Sequence, residues 1–249
     1  MATASELKRD LAKLANPKLA AKQLDFYQTQ KGGYGEGDKF LGLRVPDSRR
    51  VASRYSDLTL TELVKVARSQ FHEERFAALV ILNHKMKKAK TQLQRKEAFD
   101  FYMKLVEANL VNNWDLVDAS APYIGQYLLE TQNPLAYLKK LGRSKNLWTQ
   151  RVSIMFLFPF IRTGNTRITF ELTKDFLDHP HDLIHKAAGW MLREAGKRDL
   201  AGLRGFLSAN AAKMPRTMLR YSIEKLSEKE RKKWMSAQAE SCNFDITGT

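Results

Sequence analysis

Apolar residues recur three or four positions apart along most of the chain. Between residues 74 and 86 this spacing joins Phe76, Leu79, Val80 and Met86. Such spacing predicts helices with one buried face. Strictly alternating runs are scarce, and no pair of them is joined by an Asn-Gly or Asp-Gly turn. We therefore predict an all-α protein.

Signals for helix starts agree with this prediction. Asn16 precedes Pro17, a pairing typical of an N-cap followed by the first helical turn. Asp47, before a basic segment, and Thr61, before Glu62, predict two further helix starts. These signals support the all-α prediction.

A weak internal repeat indicates how the helices are arranged. A basic residue followed by small or apolar residues recurs at Arg75, Arg151, Lys186 and Arg220, with gaps of 76, 35 and 34 residues. This period predicts stacked helix pairs, as in a HEAT-like α-solenoid. The recurring basic residue is expected on one side, giving a basic concave face. We predict one repeat domain over residues 1–235 and a polar C-terminal tail over 236–249.

The charge balance changes this picture by implying a partner. The chain has 42 Lys and Arg against 27 Asp and Glu, a formal charge of +15. An excess of this size favours a polyanion, nucleic acid before an anionic membrane surface. No apolar stretch approaches the roughly 20 residues of a membrane span. The lone cysteine, Cys242, indicates a reducing compartment, so we expect a cytoplasmic protein.

Two segments invite chemistry that their spacing does not support. Gly32, Gly33, Gly35 and Gly37 predict a mobile loop, because their spacing matches no phosphate-binding fingerprint and no strand precedes them. A phosphate cradle is the alternative. The histidines of the second segment, His179, His181 and His185, surround Pro180, which favours an inter-helix turn over a metal site.

Two tryptophan-centred segments are more informative. Trp114 and Asp118 are four residues apart, so on a helix they share one face. Trp190 follows Ala187, Ala188 and Gly189, small residues that allow another backbone or a ligand to approach closely. Pattern alone also allows these residues to be core tryptophans and a helix-capping aspartate.

Four motifs together resemble the AlkD-type DNA alkylation-repair glycosylases. The motifs occur in the family's order, and the resemblance covers roughly Leu24 to Leu226. They are Phe40-Leu41-Gly42 with Pro46 and Arg49, Trp114-Asp115-x-x-Asp118, Trp148-x-Gln150-Arg151, and Lys186-Ala187-x-Gly189-Trp190-x-Leu192-Arg193-Glu194. The resemblance implies a HEAT-like α-solenoid whose concave face holds duplex DNA and releases cationic alkylated purines.

The resemblance also implies residue roles. Trp114 and Trp190 match the aromatic pair at the lesion, Asp118 the essential carboxylate, Arg151 the phosphate-contacting arginine, and Tyr27 a third aromatic residue. The remaining DNA-binding residues that it implies are Arg49, Lys186 and Trp148. The sequence departs from the family in two places: Asn113 stands where the best-known members carry another tryptophan, and a longer glycine-rich loop separates Tyr27 from Phe40.

These observations lead to one main hypothesis and two alternatives. We predict a monomeric, monofunctional glycosylase of base excision repair that hydrolyses alkylated purines from double-stranded DNA, with no metal, cofactor or lyase lysine. One alternative is a catalytically silent DNA-binding solenoid that recognises distorted or branched DNA. The other is a HEAT-type protein scaffold with an apolar rather than a basic concave strip.

Overall fold

Helices form nearly all the regular structure in residues 2–244, which are the residues that this computed structural model describes, with side chains described for 2–236. Within that range no strand forms beyond an isolated parallel bridge between Lys39 and Phe71. The all-α prediction is confirmed. The chain divides into two compact units, one ending at Tyr127 and the other beginning at Leu128.

Unit 1 is built from α-helices joined by short connections, except for the long segment over residues 27–44 that contains the glycine-rich loop. The helices are α1 (Ala4–Ala12), α2 (Pro17–Phe26), α3 (Val45–Arg54), α4 (Leu60–Ala67), α5 (His72–Lys88), α6 (Gln92–Glu107) and α7 (Trp114–Ile124). Asn16 caps α2 as predicted, since its side chain accepts a hydrogen bond from the Leu19 N–H. The other two starts lie earlier than predicted: α3 begins at Val45, and Thr59 rather than Thr61 caps α4.

Helix α5 forms the centre of unit 1. It contacts α1, α3, α4, α6 and α7, and it is buried on all sides from His72 to Asn83. Its first turn nevertheless contains polar and charged residues, and each of them has a partner, because a buried unpaired charge is strongly destabilising. Glu74, for example, forms an ion pair with Lys8 at 3.2 Å.

Glu73 explains the Phe40-Leu41-Gly42 motif. Its buried carboxylate accepts hydrogen bonds from the backbone N–H groups of Leu41, Gly42 and Leu43 at 2.9, 2.9 and 3.1 Å. Gly42 has a φ of +84°, and a Cβ there would lie 2.0 Å from the Asn16 carbonyl oxygen. Glycine is therefore required at this position, and the motif attaches the segment before α3 to α5.

Unit 2 is also built from helices. Its helices are α8 (Pro134–Gly142), α9 (Leu147–Met155), α10 (Leu157–Arg162), α11 (Arg167–Thr173), α12 (Asp182–Gly196), α13 (Leu200–Asn210), α14 (Arg216–Ile223) and α15 (Glu228–Phe244). Short 3₁₀ segments lie at Gly125–Glu130 and Lys174–Phe176. The predicted tail, 236–249, overlaps α15, and the predictions for the Cys242 thiol and for residues 245–249 lie outside the described side chains and residues.

Helix α12 occupies the centre of unit 2 and explains the small residues before Trp190. It contacts α9, α13 and α14, among others. A Cβ on Gly189 would lie 2.5 Å from the Met218 carbonyl oxygen on α14. The small residues before Trp190 therefore allow the backbone of α14 to pack closely at Gly189. The sequence had left open whether another backbone or a ligand would approach there.

Helices that are not consecutive in the chain contact each other within each unit, as in a helical solenoid. In unit 1, α5 contacts both α3 and α7, and in unit 2, α12 contacts both α9 and α14. The recurring basic residues differ in exposure, however: Arg75 and Arg151 are buried, Lys186 is half-buried and Arg220 is exposed. The expectation that all four are surface charges is wrong for the two arginines, because each donates hydrogen bonds inside its own unit.

Candidate active site

Helix α7 presents Trp114 and Asp118. Asn113, with 0% of its surface exposed, precedes this helix as its N-cap, and its Oδ1 accepts a hydrogen bond from the Trp114 N–H at 2.8 Å. Trp114 is thus the first helical residue, and Asp118 lies one turn later on the same face. Both side chains are half-buried, so each keeps surface that a ligand can contact.

Trp114 lies in a cluster with three other aromatic residues. The ring of Tyr27 stacks on that of Trp114 with centroids 5.6 Å apart and on that of Phe40 at 4.9 Å. Phe26 contacts Trp114 edge to face at 6.0 Å and is 63% exposed. The structure therefore joins two of the predicted site residues, Tyr27 and Trp114, in one aromatic cluster with an exposed phenylalanine at its edge.

A buried polar network lies behind this cluster. Asp115 Oδ2 accepts a hydrogen bond from the Tyr27 hydroxyl at 3.0 Å and lies 2.8 Å from His72 Nε2. The other ring nitrogen, His72 Nδ1, lies 2.9 Å from Asp38 Oδ2. Arg75 donates a hydrogen bond to the second oxygen of Asp38. The network therefore connects the end of α2, the segment before α3, and helices α5 and α7.

The charges in the network are mutually stabilising. Burial by itself would lower the pKa of His72, but Asp115 and Asp38 outweigh burial and raise it to about 9. Burial would raise the pKa of Asp38, but hydrogen bonds and charges from His72 and Arg75 hold it below its usual range. Burial and Asp115 raise the pKa of Tyr27 well above its usual range. At neutral pH the imidazole is therefore a cation, and the Tyr27 hydroxyl is a neutral donor.

The glycine-rich loop packs against this network. A Cβ on Gly35 would lie 2.2 Å from the Tyr27 carbonyl oxygen and 3.3 Å from Asn113 Nδ2. The N–H groups of the four glycines donate within the loop: Gly32 to Glu36, Gly33 to Gln30, Gly35 to Gln28 and Gly37 to Thr29. The alternative prediction of a phosphate cradle is wrong, because these donors are used and the glycines allow close backbone contact. The two departures from the family, Asn113 and the loop, contact each other.

Arg49 lies elsewhere in unit 1. Its guanidinium lies 5.3 Å from the centre of the Phe76 ring, and its side chain is half-buried. Part of the group is therefore open to an anionic ligand. The described contacts of Arg49 do not connect it to the cluster around Trp114.

In unit 2 the predicted residues lie on α9 and α12, which contact each other. Trp190 is half-buried and contacts Phe158 edge to face at 6.4 Å. Lys186, on the preceding turn of α12, forms an ion pair with Asp182 at 2.8 Å. Trp148 is buried in the first turn of α9.

Arg151 is only 4% exposed, and its guanidinium donates a hydrogen bond to the Leu183 carbonyl in the first turn of α12. This contact attaches α9 to the beginning of α12. Only a small part of the side chain faces solvent. The phosphate contact that the resemblance implies for Arg151 stays a prediction.

The three clustered histidines use ring nitrogens for local hydrogen bonds. His179 Nε2 lies 3.0 Å from Gln150 Oε1, and His181 Nδ1 accepts from the Leu183 N–H at 3.1 Å. His185 Nε2 bonds to the His179 carbonyl. Burial lowers the pKa of His179 and of His181. Among the described residues no group of three or more His, Cys, Asp or Glu side chains is arranged to hold a metal ion.

Sequence reasoning did not identify four residues of the aromatic cluster and the polar network. Asp38, His72 and Asp115 form the polar network, and Phe26 is the exposed edge of the aromatic cluster. Asp115 is part of the Trp114-Asp115-x-x-Asp118 motif, but no role was assigned to it from the sequence. His72 is 34 residues from Asp38 and 43 from Asp115, so no local spacing could have signalled their pairing.

Comparison with known proteins identifies the family. Across residues 2–244, none of the helices combines the length and the apolar composition needed to cross a bilayer. No sequence among curated proteins matches this chain. The solved structure of a "Predicted DNA alkylation repair enzyme from Enterococcus faecalis" has the same fold, with a TM-score of 0.68, 16% identity, and coverage of 86% of this chain and 97% of that chain. The sequence profile of the family described as DNA alkylation repair enzyme matches residues 7–226, which confirms the resemblance seen in the motifs. This protein therefore belongs to the DNA alkylation repair enzyme family.

Proposed function

We propose that this protein is a monofunctional DNA glycosylase that releases cationic alkylated purines, such as N3-methyladenine and N7-methylguanine, from duplex DNA. Family membership supports a role in DNA alkylation repair. The observation that carries the finer proposal is the pair formed by Trp114 and Asp118, a half-buried aromatic ring and a half-buried carboxylate on one face of α7.

The substrate class explains why one carboxylate is enough. An N3- or N7-alkylated purine already carries a positive charge and leaves as a neutral base, so it needs no general acid. As the bond between N9 and C1′ breaks, its electron pair goes to the base and positive charge develops on the deoxyribose. The transition state therefore needs a group that stabilises a cation on the sugar.

Asp118 has the chemistry for this step. Its carboxylate can stabilise the oxocarbenium-like sugar and orient a water molecule towards C1′. The water oxygen forms the new bond to C1′, and the carboxylate accepts the proton that the water loses. The products are the free base and an abasic site, which later steps of base excision repair would process.

Aromatic rings would hold the cation before the bond breaks. A cation over an aromatic face is stabilised by about 0.5–2 kcal/mol, depending on how much water is excluded. Trp114 supplies one such face, supported from behind by the stacked Tyr27 ring. We propose Trp190 as the second aromatic residue at the lesion.

Basic residues would bind the DNA backbone. The net charge of +15 supports attraction to phosphate, which is independent of sequence and weakens with salt. Lys186 and Arg49 are half-buried and therefore have surface for such contacts. We propose that Arg151 and Trp148, both buried, act mainly by positioning α9 and the first turn of α12, with the exposed edge of Arg151 reaching phosphate.

An excision assay tests the proposal directly. Purified protein is incubated with duplex DNA containing 7-methylguanine or 3-methyladenine, and the released base is measured by chromatography. We expect release by the wild type and a decrease of roughly 100-fold or more in Asp118→Asn, in line with the loss of one preorganised electrostatic group. Asp100→Asn, which alters an exposed carboxylate on α6 paired with Lys96, is the matched control and should retain full activity.

The same assay distinguishes the alternatives. Absence of release from both substrates, with DNA binding intact, would indicate the catalytically silent DNA-binding protein. Absence of DNA binding at low salt would indicate the protein scaffold. Full activity in Asp118→Asn would show that the glycosylase uses another catalytic group.

A further inference from the structure

His72 is a buried histidine whose two ring nitrogens both face carboxylates. It lies behind the Trp114 cluster and is 3% exposed, so almost none of its surface is open to a ligand. We propose that His72 is a positioning residue for the glycosylase reaction: its doubly paired imidazole fixes Asp115, and through Asp115 it fixes Tyr27 and Trp114. The predicted effect of His72 on the rate of base release rests on the proposed function. The predicted effect on the positions of Tyr27 and Trp114 rests on the geometry alone.

Asp115 is the group through which His72 acts. Its Oδ2 receives both the Tyr27 hydroxyl and His72 Nε2, while its Oδ1 accepts a hydrogen bond from the Leu116 N–H at 2.8 Å. The carboxylate is therefore held on both oxygens. Asp115 also directly follows Trp114 in the first turn of α7. Fixing the Asp115 side chain therefore constrains the backbone that carries the Trp114 ring.

Tyr27 carries the constraint to the aromatic face. Its hydroxyl is directed at Asp115, and its ring stacks on Trp114 with an interplanar angle of 20°. The His72 ring also lies 4.9 Å from the Tyr27 ring and is stacked on Phe40 at 4.7 Å. One imidazole thus contacts both the polar end and the ring of the residue that supports Trp114.

The imidazolium form is necessary for this arrangement. A neutral imidazole has one donor nitrogen and one acceptor nitrogen, so it can donate to only one of the two carboxylates. The other carboxylate would then face an acceptor at less than 3 Å and would lose its stabilising charge. Loss of the proton from His72 should therefore loosen Asp115 or Asp38, and with Asp115 the stack of Tyr27 on Trp114.

The described charges around α5 leave Asp38 and Asp115 as the groups that control His72. Arg75 reaches the network through Asp38, and Glu73 bonds to the backbone N–H groups of residues 41–43. Four other charged side chains of the helices packed on α5 have partners outside the network: Lys8 pairs with Glu74, Arg49 lies over Phe76, Lys65 pairs with Glu62, and Lys96 pairs with Asp100.

A substrate-free titration tests the structural part of the proposal. The carbon resonance of the His72 ring is followed by NMR as pH rises, beside tryptophan fluorescence excited at 295 nm. We expect both signals to change together with a midpoint near pH 9. The fluorescence transition should be absent in His72→Gln and in Trp114→Phe. A wild-type His72 that titrates with no change in Trp114 fluorescence would overturn the proposal.

Single-turnover kinetics test the catalytic part. His72→Gln should lower the rate of base release by about tenfold or more, because small displacements of a positioned group have large effects on rate. The Kd for DNA should change by less than about twofold, since His72 contacts no DNA. The matched control is His84→Gln, a half-buried histidine on the same helix outside the network, which should behave as wild type.

A second variant keeps the test decisive if His72→Gln does not fold. Tyr27→Phe retains the stacked ring but removes the hydroxyl from Asp115, so it should lower the rate by a smaller factor and weaken the pH-dependent fluorescence change. If wild-type protein shows the fluorescence transition but releases no base, the proposed function is wrong and the positioning link stands. Wild-type rates in both His72→Gln and Tyr27→Phe would show that His72 is only structural.

Discussion

The two units hold their candidate residues by different interactions. In unit 1, Trp114 lies in front of a buried network of two carboxylates, an imidazolium and a guanidinium. In unit 2, Trp190 contacts another aromatic ring, and Arg151 bonds to a backbone carbonyl. Neither contact of unit 2 joins two buried charged groups.

This difference indicates a division of labour. Burying charges is costly, and a paired network repays that cost mainly by fixing geometry. Catalysis depends on geometry at the level of fractions of an ångström, whereas DNA binding is spread over many contacts. We therefore expect changes to the buried network of unit 1 to affect mainly the rate of base release, and the loss of Arg151 in unit 2 to affect mainly the affinity for DNA.

The largest effect on stability is expected from Asp38→Asn. The change leaves His72 and Arg75 with one fewer negative charge in a buried site, and breaking such a pair costs about 3–5 kcal/mol. Urea denaturation measures the loss, and Asp100→Asn is the exposed control, expected to cost less than about 1 kcal/mol. A loss for Asp38→Asn as small as that of the control would show that the network does not stabilise unit 1.

The units should also respond to pH in opposite directions. His72 has a raised pKa, so its contribution is fully present below pH 6.5, its value in the unfolded chain, and is lost as pH rises through about 9. His179 and His181 have lowered pKa values, so their contribution is present above pH 6.5 and is lost as pH falls. Each pKa unit corresponds to about 1.4 kcal/mol for a fully buried group, and to less for the partly exposed pair.

Hydrogen exchange at individual amides measures this pH response. After correction for the intrinsic rate, amides of α7 should lose protection as pH rises from 6.5 through about 9, and those of α12 as pH falls below 6.5. Acid also removes the contribution of Asp38, whose pKa is lowered, but only as pH falls below 3.8, its usual value. Parallel responses in the two helices would contradict the comparison.

A smaller effect is expected from Arg151→Met. Methionine retains an apolar stem but loses the hydrogen bond to the Leu183 carbonyl, which should cost about 1–3 kcal/mol. If the exposed edge of Arg151 also contacts phosphate, the slope of log affinity against log salt should fall by about 1. A loss of stability equal to that of Asp38→Asn would remove the distinction between the units.

The smallest expected effect is from Phe26→Ala. Phe26 is 63% exposed beside Trp114, so it can contact DNA at the edge of the aromatic cluster. An exposed aromatic contact of about 1 kcal/mol corresponds to roughly fivefold in affinity. Leu93→Ala, an exposed residue on α6 at 66%, is the control and should leave affinity unchanged. Equal effects of the two changes would place Phe26 outside the DNA-binding surface.

Much of the local structure could be predicted from sequence because it depends on near neighbours. Helical spacing predicted the all-α fold, and Asn16 was correctly predicted as a cap. The four-residue spacing of Trp114 and Asp118 was enough to put them on one helix face. The start of α4 was misplaced because Thr59 and Thr61 are both good caps, and in the structure it is the Thr59 hydroxyl that accepts a hydrogen bond from the Glu62 N–H.

The surroundings of the site could not be predicted in the same way. The predicted basic strip failed at Arg75 and Arg151 because burial depends on which distant segment packs over a residue. Asp38 lies on a segment brought to α5 by the bridge between Lys39 and Phe71, and a hydrogen-bond donor to its carboxylate lies 37 residues away. The role of the glycine-rich loop could not be predicted either, because it depends on the close packing of Gly35 against Tyr27 and Asn113.

The sequence by itself determined the all-α class, the family, and the placement of Trp114 and Asp118 on one helix, because spacing, capping and motif order are properties of short segments. Tertiary structure alone decided which of those residues are buried and how they are paired. The reason is that the free energy of a charged group depends on whether it is buried away from water. Burial in turn depends on contacts between residues that are far apart in sequence. His72 shows this: it was an isolated histidine in the sequence and is the centre of the network in the fold.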